Sequence, residues 1–325
     1  MSIAPYIKVI GRGSQGARAL NAEQAQDLMT QVLEGRVTDL EVGAFAVAMR
    51  IKGETPSELA GYLAATRVYC LAPALARTQV WMPSYNGARK LPNLTALLAL
   101  LLAREGVPVL VHGPVAEPGR VSTADVFSAL GLSIASDAAD IGQAWQRNEP
   151  AFVPTELLCP PLAKLLHVRR VVGLRNPGHT VAKVLCPAAA ATTAAGQGSG
   201  VFRVINHTHP EYAELLSRFL SETRADAMLL RGTEGEPVAD ARRTPRMQVF
   251  LGGEQNDAWG VAAREGGLIR LPELPDSGDA PDTADYINAV VTGRLSAPEP
   301  IALQVECILQ ALNFADAPSP AGNPR

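Results

Sequence analysis

Between Met82 and Thr95 the chain reads MPSYNGARKLPNLT, a glycine-containing loop between an apolar run and a Leu/Ala-rich one. A strand, a loop and a helix in that order present backbone amides and the positive end of a helix dipole to an anion. Ser84, Tyr85, Asn86 and Gly87 form the turn, Arg89 and Lys90 add two cations, and a helix is expected to open between Pro92 and Leu94. Pro83 removes one amide donor, and Tyr85 sets a ring where glycine would let a ligand approach the backbone. This composition suits capture of single phosphates from outside, with Tyr85 available to stack on a base.

Further candidate phosphate partners cluster along the chain. No Asp or Glu occurs from Leu157 to Pro210, a window holding Lys164, Arg169, Arg170, Arg175, Lys183 and Arg203 with His167, His179, His207 and His209. RNPGHT (175–180) adds the Thr180 hydroxyl, and ARRTPR (241–246) supplies Arg242, Arg243 and Arg246. A second acid-free window, Leu59 to Arg104, contains Arg67, Arg77, Arg89, Lys90 and Arg104. Compensating acids gather in ELPDSGDAPDTAD (273–285). A net charge of −3 and a pI near 6.0 argue against a polyanionic partner, but the uneven distribution predicts a basic face. Solvated surface charge is the alternative for each residue. Arg169 and Arg170 have a second alternative, pairing with an acid such as Glu156, and His207 and His209 read as capping or packing ahead of a helix near Pro210.

Several classes drop out. GRGSQG (11–16) satisfies GxGxxG, and PYIKVI before it has strand-like composition. The next helix begins only after Asn21, so no helix N-terminus meets a pyrophosphate there. Cys70, Cys159, Cys186 and Cys307 contain no CxxC pair, which predicts small buried side chains rather than a zinc site or a disulfide framework. The most apolar stretch, LTALLALLLA (94–103), is too short for a bilayer that needs about 20 residues. The opening MSIAPYIKVI lacks a charged-then-apolar signal segment. A soluble, cytoplasmic protein with no metal, no cofactor and no membrane partner is expected.

The elements that must position these residues follow from periodicity. Residues 22–34 predict a helix capped by Asn21, 38–52 a second, and TPSELAGYLAATRVYC (55–70) a third with Thr55, Pro56 and Glu58 at its start. QVWMP, VPVLVHG, AMLLRG, RMQVFLG and AWGVAAR predict strands, while 94–104 and STADVFSALG predict helices. AAAATTAAGQGSG (188–200) reads as a small-residue loop and PELPDSGDAPD (272–282) as polar surface. Alternation of strands and helices implies an α/β fold with a mostly parallel sheet.

Three segments carry a resemblance. LNAEQAQDLMTQVLEGRVTDLEVGAFAVAMRIKGETPSELAGYLAATR (20–67), STADVFSALG (122–131) and VRRVVGLRNPGHTVAKVLCP (168–187) resemble the anthranilate phosphoribosyltransferases of glycosyltransferase family 3, over nearly the whole chain. The first segment is also similar to the helical domain of pyrimidine nucleoside phosphorylases. The resemblance implies a small N-terminal α-helical domain, residues 1–72 plus about 158–185, that mediates homodimerisation. A larger α/β domain would use 73–157 and 186–325, with a cleft between the two.

For the chemistry the resemblance implies a degenerate site. The family holds the pyrophosphate of its ribosyl donor PRPP in a Gly-Thr-Gly-Gly-Asp nest, where this chain has Pro83-Ser84-Tyr85-Asn86-Gly87; Asn93 and, in part, Thr95 survive beyond it. Lys-His-Gly-Asn-Arg becomes Val111-His112-Gly113-Pro114-Val115, without either cation. The Asp-Glu metal pair falls on Gly235-Glu236-Pro237-Val238, with Glu234 adjacent. YNGARK and RNPGHT resemble the YbiB-type paralogues of this family, a group associated with DNA and other nucleic-acid binding without sequence preference. The expectation is a non-enzymatic nucleic-acid binder with no catalytic residue. The alternative is a phosphoribosyltransferase or phosphorylase for a different phosphorylated substrate, with His112, Glu234 and Glu236 as acid–base groups; for His112 a structural place at a strand end is the other reading. Small phosphorylated metabolites are a third ligand class.

Overall fold

The computed structural model describes residues 2–73, 77–187, 200–264, 266 and 272–316. The loop expected at 188–200 lies outside them except for Gly200. Five helices come first: α1 (Ala4–Ile10), α2 (Gly13–Gly16), α3 (Ala22–Leu33), α4 (Asp39–Lys52) and α5 (Pro56–Arg67). The three longer ones begin on reciprocal capping boxes. Asn21, Thr38 and Thr55 accept from the amides of Gln24, Glu41 and Glu58, whose side chains return to the cap amides. PYIKVI, strand-like by composition, lies within α1 and packs on α4, and GRGSQG follows it with no strand before it.

The second part alternates: β1 (Gln79–Pro83), α6 (Thr95–Arg104), β2 (Val109–Gly113), α7 (Thr123–Ala129), α8 (Ala138–Gln146), β3 (Ala151–Pro154) and α9 (Thr155–Leu158). Three short helices follow, α10 (Pro160–His167), α11 (Arg169–Val172) and α12 (Gly178–Val184). The chain then forms β4 (Val201–His207), α13 (Pro210–Glu222), β5 (Ala227–Arg231), β6 (Met247–Leu251), β7 (Glu254–Val261), α14 (Ala280–Val291) and α15 (Glu299–Asp316). The strands form one sheet in the order β3-β2-β1-β4-β5-β6-β7, parallel from β3 to β5 and antiparallel from β5 to β7. This is a small helical domain beside a larger α/β domain with a mostly parallel sheet.

Alternation along the strands builds two cores. Trp81, Leu110, Ile205 and Leu229 face one side, where they join Tyr62, Phe45 and Leu162 of the helices. Val80, Met82, Val111, Val204 and Leu230 face the other, against Leu97, Phe127 and Ile308. Helix α10 packs on α3, and α12 on α5, so the segment after β3 returns to the first helices. Cys159, Cys186 and Cys307 are buried free thiols, and Cys70 is half-buried. No described helix is long and apolar enough to cross a membrane.

Topology decides where a ligand can sit. The chain leaves β1 for β2 and β3 on one side, then returns as β4 and β5 on the other. The C-terminal ends of β1 and β4 therefore flank the crevice at which open α/β sheets bind ligands. The loops after β1, β2, β4 and β5 surround it.

Candidate functional site

From Asn86 to Leu91 the loop after β1 has no backbone donor to spare. The amides of Asn86 and Gly87 donate to Glu236 Oε1 at 2.9 and 2.7 Å. Ala88 donates to the carbonyl of Val121 at 2.8 Å. Arg89, Lys90 and Leu91 donate to Glu234 Oε2 at 2.6, 3.0 and 3.3 Å. Every amide from Asn86 to Leu91 is thus satisfied within the chain, five of the six by a carboxylate. The loop still forms an anion nest, but the anions are its own glutamates. The backbone of 86–91 therefore offers an outside phosphate nothing, and Arg89 and Lys90 have only their side chains to present to one.

The turn carrying those glutamates is built for the purpose. Glu234 adopts a left-handed φ of 51°, a conformation that costs a non-glycine residue of order 1 kcal/mol. The three loop amides offset that cost and, against the effect of burial, hold its carboxyl below the usual range. Gly235 has φ 90° and lies so close to Asn86 that any side chain would collide with it. The Gly235 carbonyl accepts from Asn86 Nδ2 at 2.9 Å and from Asn206 Nδ2 at 2.5 Å. Glu236 is 1% exposed, and burial raises its pKa against the pull of its Ser84, Asn86 and Gly87 donors and of Lys183. Asn93 holds Val121 O and Thr123 Oγ1, Ser84 donates to Thr123 Oγ1, and Thr95 lies 3.5 Å from Glu236 Oε2. These remnants of the loop are scaffold.

Cations converge on the open face of the same loop. A cleft of about 780 Å3 between the helical domain and the sheet is lined by Arg50, Arg89, Lys90, Arg120, Arg175 and Lys183. Arg175 reaches the Asn86 side chain, Arg120 donates to the carbonyl of Gly87 at 3.2 Å, and Lys183 donates to that of Asn206 at 3.2 Å. These contacts aim the groups but neutralise none. Burial lowers the pKa of Arg175, and the nearby Arg169 and Arg120 lower it further. Burial and Arg175 likewise bring Lys183 down to about 8. His179 falls to about 4, for burial first and then Arg175, so at neutral pH it is an uncharged imidazole. Of the cleft acids, Glu234 is committed to the loop, half-buried Glu54 is pushed up by desolvation with the Thr180 hydroxyl 3.5 Å away, and Glu211 is exposed at the rim.

Other candidates lie elsewhere. Arg203 is buried on β4 and donates to the Val184 carbonyl at 3.1 Å, so its role is structural. Tyr85 does not stand free as a stacking platform. Its hydroxyl meets His112 Nδ1 at 3.0 Å and accepts from Thr155 Oγ1 at 3.3 Å, and its ring is edge-on to His112. Burial brings His112 down to about 3, a neutral strand-end residue rather than an acid–base group. Arg169 pairs with Glu117 at 3.1 Å, not with Glu156, which faces His167. Arg170 is exposed beside Arg169 in a smaller cavity of about 290 Å3. Lys164 is exposed on α10 and lines none of the described cavities. Arg242 is fixed by two bonds of 2.9 Å to Asp240, which also lies 3.6 Å from Arg243; both arginines line a separate cavity. Arg120, which sequence reasoning missed, supplies a cation from the loop after β2, where the resemblance leaves none at 111 and 115. Its only signal was a position just before the Ser122 cap.

Residues 4–70 match the helical bundle domain of a glycosyl transferase family, and residues 87–307 match its a/b domain. The chain belongs to that family. Among curated relatives, the uncharacterized protein YbiB of Escherichia coli K12 is 35% identical over 97% of this chain and 96% of its own length. The anthranilate phosphoribosyltransferase of Methylobacterium radiotolerans is 30% identical over 89% and 81%. The anthranilate phosphoribosyltransferase of Thermus thermophilus superposes with a TM-score of 0.69 at 21% identity, covering 94% of this chain and 88% of that one. The Saccharomyces cerevisiae enzyme in complex with PRPP and Mg gives 0.60 at 14% identity, over 97% of each. The last two likenesses show the fold.

A magnesium–diphosphate group does not fit the residues of this glycosyl transferase family member as they are arranged. Each oxygen of Glu234 and Glu236 already faces a donor, and the amides that would cradle a diphosphate are taken by those carboxylates. The arrangement leaves positive side chains, not a nest, to meet an anion.

Proposed function

We propose that the protein binds nucleic acid, DNA in the first instance, without sequence preference and without catalysis, through the cleft between its helical and α/β domains. The observation that carries this reading is the convergence of Arg120, Arg175 and Lys183, with Arg169 near enough to act on Arg175, on a cleft where none of the first three forms an ion pair among the described residues. Cations held together at mutual cost are stabilised by a chain of phosphates, and side chains that contact phosphates read no base. Next to Arg169 and Arg170, Val171 is 90% exposed and Leu174 also projects, an apolar surface for unstacked bases that replaces the ring of Tyr85.

The helical body of this reading comprises 1–72 and about 158–185, and it carries a homodimer contact. Leu40, Val47 and Ile51 are exposed on α4 at spacings that set them on one face. Such a dimer would act in the cytoplasm, where nucleic acid is available.

The test is a fluorescence-anisotropy titration of a labelled single-stranded oligonucleotide at several salt concentrations. Neutralising about six phosphates gives a slope of log K against log[salt] near −4. A slope shallower than about −1 would overturn the proposal. The second reading, transfer or phosphorolysis on another phosphorylated substrate, draws on family membership and on the raised carboxyl of Glu54 in the cleft. It predicts turnover of a small phosphorylated compound that Glu54→Gln abolishes.

A further inference from the structure

A second cavity, of about 690 Å3, lies beyond the C-terminal ends of β4 and β5 and shares only Lys90, Thr208 and Glu234 with the cleft. Six cations line it, Lys90, Arg231, Arg242, Arg243, Arg246 and Arg264, against two carboxylates, Glu234 and Asp240. Glu234 is spent on the loop amides, Asp240 serves Arg242 and Arg243, and Arg264 pairs with Glu299 at 3.1 Å. Arg231 and Arg246 are left with no carboxylate partner among the described residues.

Those two arginines are also neighbours. The antiparallel register ends at Leu230 with Met247, and Arg231 and Arg246 each adjoin that last pair and line the same cavity. Like charges gathered this way repel unless an anion lies between them. Two further polar groups at this cavity lack partners. The hydroxyl of Thr244, a residue only 4% exposed, has none, and neither does the buried Nδ1 of His207. Buried polar atoms are seldom left so in a native protein. Leu91, Pro210, Ala213 and Pro245 supply an apolar wall.

We propose that this cavity is a mononucleotide site, with Arg231 and Arg246 clamping the phosphate and the base lying against the apolar wall. Paired guanidinium groups match phosphate oxygens in fork geometry, and the volume falls within the range of small-molecule sites. Thr244 and His207 Nδ1 then meet the sugar or the base edge. Occupancy requires no strand in the cleft, so this site stands apart from the proposed function.

The probe is N-methylanthraniloyl-ADP, titrated into the full-length protein and read by fluorescence. Saturable binding is expected. Arg231→Glu/Arg246→Glu should weaken it roughly 10- to 100-fold, the loss of charge-assisted hydrogen bonds. Thr244→Val should weaken it about threefold to tenfold. Both arginines are exposed, and a melting curve with the milder Arg246→Gln separates lost binding from lost folding. Unlabelled ADP should compete far better than inorganic phosphate. Absence of saturable binding, undiminished binding by the double variant, or equal competition by phosphate would each overturn the proposal. Oligonucleotide binding, read in parallel on the wild type, reports only on the cleft: its loss with ADP binding intact would sink the proposed function and leave this site standing.

Discussion

The 86–91 loop and the cleft wall opposite it handle negative charge in opposite ways. In the loop, backbone donors are closed off by Glu234 and Glu236, and the Gly235 turn that holds them is packed against Asn86. On the wall, Arg120, Arg175 and Lys183 touch neutral carbonyl or amide oxygens and repel one another. The comparison teaches that the backbone of a loop of anion-binding shape can be structural while its side chains face the cleft. Function is then to be sought where charge is left uncompensated.

The sharpest way to break the comparison is to open the nest. Glu236→Ala strands two buried amides and should cost about 2–6 kcal/mol in denaturant unfolding, at roughly 1–3 kcal/mol per orphaned donor. Pyrophosphate should then restore part of that stability, while leaving the wild type unmoved. A variant as stable as wild type, or one indifferent to pyrophosphate, would show that the carboxylate does not occupy an anion position.

On the wall the expected losses are of affinity. Arg175→Glu should lower oligonucleotide affinity roughly 10- to 100-fold, measured by anisotropy at low salt. A change under twofold would remove the cleft from the account.

Lys183 links the two regions through pH. Its folded pKa, about 8, lies below its ordinary value of 10.5, so above pH 8 the folded state binds fewer protons than the unfolded state. Stability should therefore rise as pH climbs from about 8 to 10.5, while oligonucleotide affinity falls over the same window as the ammonium is lost. Unfolding and binding measured across that range in the Lys183→Met variant should lose both trends. His179, already uncharged above about pH 4, adds nothing to the affinity profile near neutrality.

The smallest effects are expected at Tyr85 and Lys164, which lie outside the cleft lining. Tyr85→Phe removes the hydroxyl between His112 and Thr155 and should cost about 1 kcal/mol in stability with no change in oligonucleotide affinity. Lys164→Ala should shift stability by less than about 0.5 kcal/mol and leave binding unchanged. A tenfold affinity loss in either would return these side chains to the interface.

Much of the fold was legible because local signals agreed with it. The capping boxes at Asn21, Thr38, Thr55 and Ser122 mark helix starts in the sequence itself. Strand β4 was missed because Arg203 and Asn206 interrupt its apolar pattern, yet both are buried there. Helix α15 was missed although Ile301, Ile308, Ala311 and Leu312 are buried at helical spacing, because Gln304, equally buried, interrupts that apolar face. At the site, the clustering of Arg175, His179 and Lys183 was visible, since one short helix carries two of them and its lead-in the third. The plugging of the loop was not. Asn86 and Glu236 are 150 residues apart, and nothing local to either records that a turn after β5 reaches a loop after β1.

Calorimetry of PRPP with Mg2+ against the wild-type protein tests the central claim most directly. A nest already filled by Glu234 and Glu236 predicts no saturable heat. A saturable, magnesium-dependent heat would contradict it.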